Sequence, residues 1–364
     1  MVKTMQRITA AIFVLFLAVF GILHIALPDR TFSPVENRNL AQLPKFTWKD
    51  LADGSYTADL ETYLADQFPL RDGWIGLKTR YEYLLGHREF NNVYLAGDKL
   101  ISKVHDASRA EKNLGYIAAM LEKTDKPVYL GLIPAAEIWR DQLPYGADTF
   151  DQWAFLEEAK KLGANWVDMG GMLQAHADEA IFYRTDHHWT SLGAYYGYAA
   201  LMEALGEEPL PLGEGTTVSE DFYGTLYSSS GVHWLEPDAI QRYVSGEGVT
   251  VLNGFTGETG GLYVDKFLGE KDKYASFMGG NNPIYIVKNP DAQTDKKLLV
   301  VRDSYSDSLA PFLSQYYSEV HLLDLRYYRT PVAKYAEDNG LDEIFVCYSV
   351  ENFVKDADAV FLGQ

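Results

Sequence analysis

The chain opens on an apolar run from Ile8 to Leu27, broken only by Thr9, Gly21 and His24 and preceded by Lys3 and Arg7. A run of about twenty such residues is long enough to cross a bilayer as a helix. Leu23-His24-Ile25-Ala26 matches a small-x-small cleavage site poorly, so residues 1–28 read as an uncleaved signal anchor, with a cleaved secretory signal as the alternative. Positive charge ahead of the run and acidic sequence behind it predict a single-pass membrane protein with an extracytoplasmic body, or a secreted one if the signal is cleaved. Pro34 and Pro44 mark residues 29–50 as an extended linker. Apolar residues return at helical spacing in Leu51–Phe68, which stops at Pro69, and in Trp74–Leu85, which stops at Gly86. Val93 to Ile101 predicts a hairpin turning at Gly97-Asp98.

Beyond residue 107 the pattern alternates between the two periods. Helices are predicted over Ser108–Thr124, Asp151–Leu162, Thr190–Leu205, Tyr305–Tyr316 and Pro331–Asp338. Between them lie short apolar runs that read as buried strands: Pro127–Ile133, Ala164–Met169, Leu298–Val301, Val320–Leu323 and Glu343–Tyr348. Strands separated by helices predict an α/β fold, a mostly parallel sheet with helices on both faces. The stretch from Gly206 to Asp295 breaks the alternation with Gly, Thr and Tyr and short β-like runs such as Gln241–Val244 and Thr250–Leu252. It is expected to form a β-rich lobe, at about 206–295, inserted into one domain that covers 51–364.

The net charge of −19 leaves no basic stripe for phosphates and argues against a nucleic-acid partner. The single cysteine, Cys347, excludes an internal disulfide and a cysteine-based metal site. Aromatic residues make up 14% of the chain; most are expected in packing, though tyrosine-rich surfaces can also stack on sugar rings.

Chemistry concentrates in Thr185-Asp186-His187-His188-Trp189-Thr190, at the start of a predicted helix. An Asp two residues before a His is close enough for its carboxylate to orient the ring and stabilise the imidazolium. A nucleophile candidate comes much later, in Arg302-Asp303-Ser304-Tyr305, where a buried strand runs into a helix. Serine there sits at the carboxyl edge of the sheet, beside helix N–H groups that can hold an oxyanion. The competing reading is structural, because Ser304-x-x-Asp307 also fits a capping box. Together the two segments point to Ser304 as nucleophile, His188 as base and Asp186 as orienting acid. His187 and Trp189 read as packing or supporting groups. No metal or cofactor is expected.

Thr185-Asp186-His187-His188-Trp189-Thr190 resembles the name-giving motif of the DHHW family, which is similar to the SGNH-hydrolase-like domains of alginate O-acetylation proteins. The resemblance takes in Glu36-Asn37-Arg38-Asn39-Leu40, Asp66-Gln67-Phe68-Pro69-Leu70-Arg71, Phe222-Tyr223-Gly224-Thr225-Leu226, Asp272-Lys273-Tyr274 with Phe277 to Asn281, Asp303-Ser304-Tyr305-Ser306 and Leu323-Asp324-Leu325-Arg326-Tyr327-Tyr328. It implies an SGNH-like (flavodoxin-like) fold and an O-acetyltransferase or acetylesterase acting on an exported or cell-surface polysaccharide. It also implies a membrane acyl-donor protein as partner and Asp186, His188 and Ser304 as the triad. Arg302 stands where the SGNH pattern has glycine, and Tyr305 and Asn281 are candidates for the oxyanion side of the site, Asn281 as second donor. The alternative function is a glycan-binding or envelope-assembly protein with a vestigial triad.

Overall fold

The computed structural model describes residues 2–134 and 138–364. The chain divides into two compact units, Met1–His87 with Gly231–His233, and Arg88–Ser230 with Trp234–Gln364.

In the first unit the apolar run forms one helix, α1 (Val2–Ala26), which holds an 18-residue stretch of mean hydropathy 2.6 and has no buried residue. The periodic stretch predicted as a single helix over Leu51–Phe68 is two helices, α2 (Trp48–Asp53) and α3 (Ser55–Asp66). Gly54 divides them because its φ of +87° is a left-handed conformation that ends one helix and starts the next. α4 (Arg71–Leu84) follows. Residues 29–50 are tied to this helical pair rather than loose. Arg38 grips the buried carboxylate of Asp66 through both of its terminal nitrogens, at 2.9 and 2.5 Å, and Ala41 N–H donates to the same group at 2.8 Å. These bonds, led by Arg38, hold the Asp66 carboxyl below its usual range. Arg71 pairs with Glu36, so two of the sequence blocks that carry the family resemblance meet in one ion-pair cluster.

The second unit is built on an eight-stranded sheet. Its strands are β1 (Val128–Ile133), β2 (Asn165–Trp166), β3 (Thr250–Asn253), β4 (Thr259–Gly260), β5 (Ile284–Lys288), β6 (Thr294–Arg302), β7 (Tyr317–Leu323) and β8 (Glu343–Ser349). The order is β4-β3-β5-β7-β6-β8-β1-β2. From β7 to β2 every pairing is parallel, whereas β5, β3 and β4 extend the β7 edge antiparallel. Within the stretch 206–295, therefore, residues 250–288 continue the sheet, and a separate ribbon forms from Thr216–Phe222 and Asp238–Arg242. The predicted hairpin pairs Val93–Ala96 with Lys99–Ser102.

Alternation along β6 explains why both faces are covered. Leu298 and Val300 join one buried cluster with α7 (Met169–Ala175), α8 (Ser191–Leu205) and α10 (Ser306–Tyr316), the last following the short α9 (Thr225–Ser230) in sequence. Leu299 and Val301 join the opposite cluster with α5 (Ala110–Leu121), α6 (Gln152–Lys160) and α11 (Val332–Asp338). A strand buried on both faces reads as a continuous apolar run, which is what Leu298–Val301 presents.

Candidate active site

The parallel strands end on one edge, and β6 delivers Ser304 there. Asp303, fully buried, fixes the turn: its carboxylate accepts from Tyr305 N–H (3.1 Å), from Ser349 N–H (2.9 Å) and Oγ (2.8 Å) at the end of β8, and from Asn352 Nδ2 (2.9 Å) just past it. The carboxyl ends of two neighbouring strands are thereby locked together beneath the serine. Ser304 is half-buried, and its hydroxyl donates to His188 Nε2 at 2.7 Å. It does not cap α10, whose first turn has no side-chain cap, so the capping-box reading of Ser304-x-x-Asp307 fails.

The Asp-His-His-Trp segment is the tip of a tight loop. Phe182 and Trp189 bridge its flanks, Tyr183 N–H donates to the carbonyl of His188, and Thr190 N–H donates to that of Ile181. Thr190 caps α8 through its side chain, which sets the loop on a rigid helix start. His188 Nδ1–H donates to Asp186 Oδ1 at 2.6 Å, and the same oxygen accepts the backbone N–H of His188 at 2.9 Å. A carboxylate held this way fixes the tautomer whose Nε2 lone pair faces Ser304.

Electrostatics reinforce that state. Burial pushes the Asp186 carboxyl up, but the neighbouring imidazoles of His187 and His188 and the bonds from His188 and Thr225 outweigh it, leaving it well below the usual range. Burial, followed by the charge of His187, holds His188 below its ordinary value against the pull of Asp186. At neutral pH the pair is therefore a carboxylate and a neutral imidazole.

Three residues to which the sequence assigned no role complete the geometry. Thr225, at the start of α9, donates its N–H (2.7 Å) and Oγ (3.0 Å) to Asp186 Oδ2. Gly224 lets the two backbones approach, since a Cβ there would lie 2.6 Å from Asp186 Cγ. Tyr274 stacks on the His188 ring, with centroids 3.9 Å apart and planes at 9°, and its hydroxyl donates to the Ser304 carbonyl at 3.1 Å. Burial raises its phenol well above the ordinary value, so it stays a donor. The blocks holding these residues stood out in the sequence, but nothing local tied them to Asp186 or His188.

The supporting candidates separate into those in contact with the triad and those away from it. Trp189 Nε1 donates to the Tyr305 carbonyl (2.9 Å) and Ser308 Oγ (3.0 Å), pinning the loop to α10. The Tyr305 hydroxyl donates to the carbonyl of His187, so its phenol braces the loop and is not directed at an oxyanion. His187 Nδ1 meets Thr225 Oγ1 at 2.6 Å. Arg302 is fully buried with Nη1 2.7 Å from Asp307 Oδ1, and among the described residues no bond links it to the triad. It serves a buried ion pair under the turn. Asn281 is exposed and likewise has no hydrogen bond to Ser304, His188 or Asp186, because the turn through Gly279 and Gly280 leaves it on the surface. The backbone N–H of Ser304 has no acceptor among the described residues and is the oxyanion donor the site offers. Asp186, His187 and His188 place ligand-type atoms within 4.8 Å of one another. Both nitrogens of His188 and Nδ1 of His187 are already engaged by protein groups, which leaves no convergent set of free donors for a metal.

Comparison with known proteins places this architecture. The family model described as "DHHW protein" matches residues 36–126 and 158–323. A DHHW family protein from Eubacterium siraeum is similar at 24% identity and a TM-score of 0.66, over 75% of this chain and 95% of that one. Bacillus cereus PatB1, solved with a sulfonyl adduct, is similar at 18% identity and a TM-score of 0.60, over 74% of this chain and 97% of that one. The O-acetyltransferase domain of Pseudomonas putida AlgJ is more distant, at 17% identity and a TM-score of 0.46, over 73% of this chain and 93% of that one. No curated protein matches. The first two likenesses establish the fold, and it is the α/β arrangement expected from the sequence, a mostly parallel sheet with helices on both faces.

Proposed function

This chain belongs to the DHHW family, and from that premise we propose that it is a membrane-anchored, extracytoplasmic serine acyltransferase or esterase acting on O-acetyl groups of a polysaccharide. The observation that carries the reading is the unbroken relay from Ser304 Oγ to His188 Nε2 (2.7 Å) and from His188 Nδ1 to Asp186 (2.6 Å) at the carboxyl edge of the sheet. Ser304 Oγ attacks the acyl carbonyl carbon as His188 Nε2 takes its proton, and the oxyanion forms against the Ser304 N–H. Collapse breaks the bond to the leaving group, and His188 returns the proton to that group, which is the sugar oxygen in an esterase and the donor's own acyl-bearing atom in a transferase. The acyl-serine then passes its acyl group to an incoming hydroxyl that His188 deprotonates. That hydroxyl is water in an esterase and a sugar in a transferase. Transfer requires an acyl donor, and the family resemblance points to a membrane protein as its source. The apolar helix α1 supports placement of the body outside the membrane.

Covalent trapping tests the nucleophile. A sulfonyl fluoride, the reagent class suggested by the sulfonyl adduct of PatB1, is expected to add one sulfonyl group to the chain, located at Ser304 by peptide mass spectrometry. Labelling of the His188→Ala chain should be slower by orders of magnitude. A chain that binds acetylated oligosaccharide but neither hydrolyses it nor takes the label would be the vestigial-triad protein instead.

The same geometry sets a pH dependence. His188 acts as a neutral base and its pKa lies below the usual 6.5, so kcat/KM for an acetyl ester should be level near neutrality and fall only on the acid side of that value. A profile that still rises steeply between pH 7 and 8 would assign the base elsewhere.

A further inference from the structure

In the first unit, α4 and the residues at its two ends carry a stripe of large apolar residues that stays exposed. Leu70, Trp74, Leu77, Tyr81, Leu84 and Leu85 are all exposed, Leu70 by 72% and Leu84 by 80% of their surface. At 3.6 residues per turn these six positions fall within about 100° of the helix circumference. Thr79, on the opposite side, is buried. Lys78 and Arg80 are exposed and lie at about 80° to either side of the stripe centre, so basic groups border the apolar face on both edges. An apolar strip of this length is unusual on a surface that meets only water.

The stripe is continuous with α1. Trp74 packs edge-on against Phe20 (5.7 Å between centroids) and Phe16 (6.3 Å), and Phe68, just before α4, stacks flat on Phe20 at 5.4 Å and 2°. Phe20 lies six residues before the end of α1, about 9 Å along its axis. A helix fastened at that level of a membrane span meets the boundary between headgroups and acyl chains, where tryptophan and tyrosine are favoured.

We propose that α4 is a second membrane contact, lying in the outer-leaflet interface with its Leu70–Leu85 stripe in the acyl boundary and its polar flanks at the level of the lipid headgroups. This rests on α1 spanning the bilayer. The stripe then does for α4 what a protein core does for other helices, burying an apolar face that the fold leaves uncovered. It also gives the first unit a second, off-axis attachment beside α1.

The test uses the full chain reconstituted in phosphatidylcholine–phosphatidylglycerol vesicles, with Cys347 left in place because it is fully buried. Resistance to alkaline carbonate extraction reads α1 separately from α4. Single cysteines introduced as Leu77→Cys and Leu84→Cys, with Glu82→Cys as the polar-face control, carry an environment-sensitive fluorophore. The expected result is blue-shifted emission and quenching by brominated lipid at 77 and 84, several-fold stronger than at 82, with little quenching by aqueous iodide. Equal iodide quenching at 77, 84 and 82 in a chain that resists extraction overturns the proposal. So does protection from both quenchers with cross-linking between copies at position 77, which would show a second copy covering the stripe.

Discussion

Replacing Ser304 with alanine is expected to lower kcat on an acetyl ester by a factor on the order of 10⁴ to 10⁶, with little change in KM. The hydroxyl is the only atom lost, and Asp303, which shapes the turn, keeps its bonds to Ser349 and Asn352. The melting temperature should therefore move little while turnover collapses. His188→Ala should cost about as much, and the double variant no more than either single one, because members of a relay act as a unit. Asp186→Asn is a sharper probe. In the native site Oδ1 accepts from His188 and Oδ2 accepts twice from Thr225. An amide has one oxygen, so its NH₂ must face either the His188 ring or the Thr225 donors. Facing the ring, it forces the tautomer whose Nε2 carries a hydrogen toward Ser304; facing Thr225, it sets donor against donor. Either way a loss on the order of 10⁴-fold in kcat is expected. Activity within about tenfold of the parent for any of the three would remove the triad from the mechanism.

The sequence made the relay legible because its two halves are each local. Asp186 and His188 are two residues apart, and Ser304 sits where an apolar strand gives way to a helix, so topology alone brings both to one sheet edge. Residues whose roles exist only in space could not be read in this way. Thr225 reaches Asp186 across 39 residues of chain, and Tyr274 touches Ser304 across 30. Neither residue type announces such a partner. Arg302 misled for a related reason: at a turn it suggests contact with the site, yet it is spent on Asp307. Helical periodicity likewise ran straight through Gly54, since apolar spacing does not register a single left-handed residue. The pairing of Thr250–Asn253 and Ile284–Lys288 onto the sheet edge was hidden because a short strand does not name its neighbour, which tertiary context selects.

Gly224→Ala is expected to cost at least about 10²-fold in kcat although residue 224 touches no reacting atom. Its backbone runs so close to Asp186 that an added Cβ would fall within 2.6 Å of Cγ and closer still to Cβ and Oδ2. Real atoms do not tolerate that, so either Asp186 rotates away from His188 or the start of α9 retreats and takes the Thr225 donors with it. Both outcomes degrade the orientation of His188, and misplacement by about 1 Å is enough for a loss of that size. The loss should appear in kcat with KM little altered, because the change acts on the reaction through the orientation of Asp186 and His188. Removing only the donors separates the two routes. Thr225→Ala deletes the 3.0 Å hydroxyl bond but keeps the 2.7 Å bond from the backbone N–H, so it should cost about tenfold, near the lower end of what one hydrogen bond to a charged group contributes. If Gly224→Ala instead turned over at the parental rate, the carboxylate would have to keep its orientation by other means, and the Phe222–Leu226 segment would be packing alone. A shared, severe loss in Gly224→Ala and Asp186→Asn, with Thr225→Ala mild, would identify the close backbone approach as what holds the acid in register with the base.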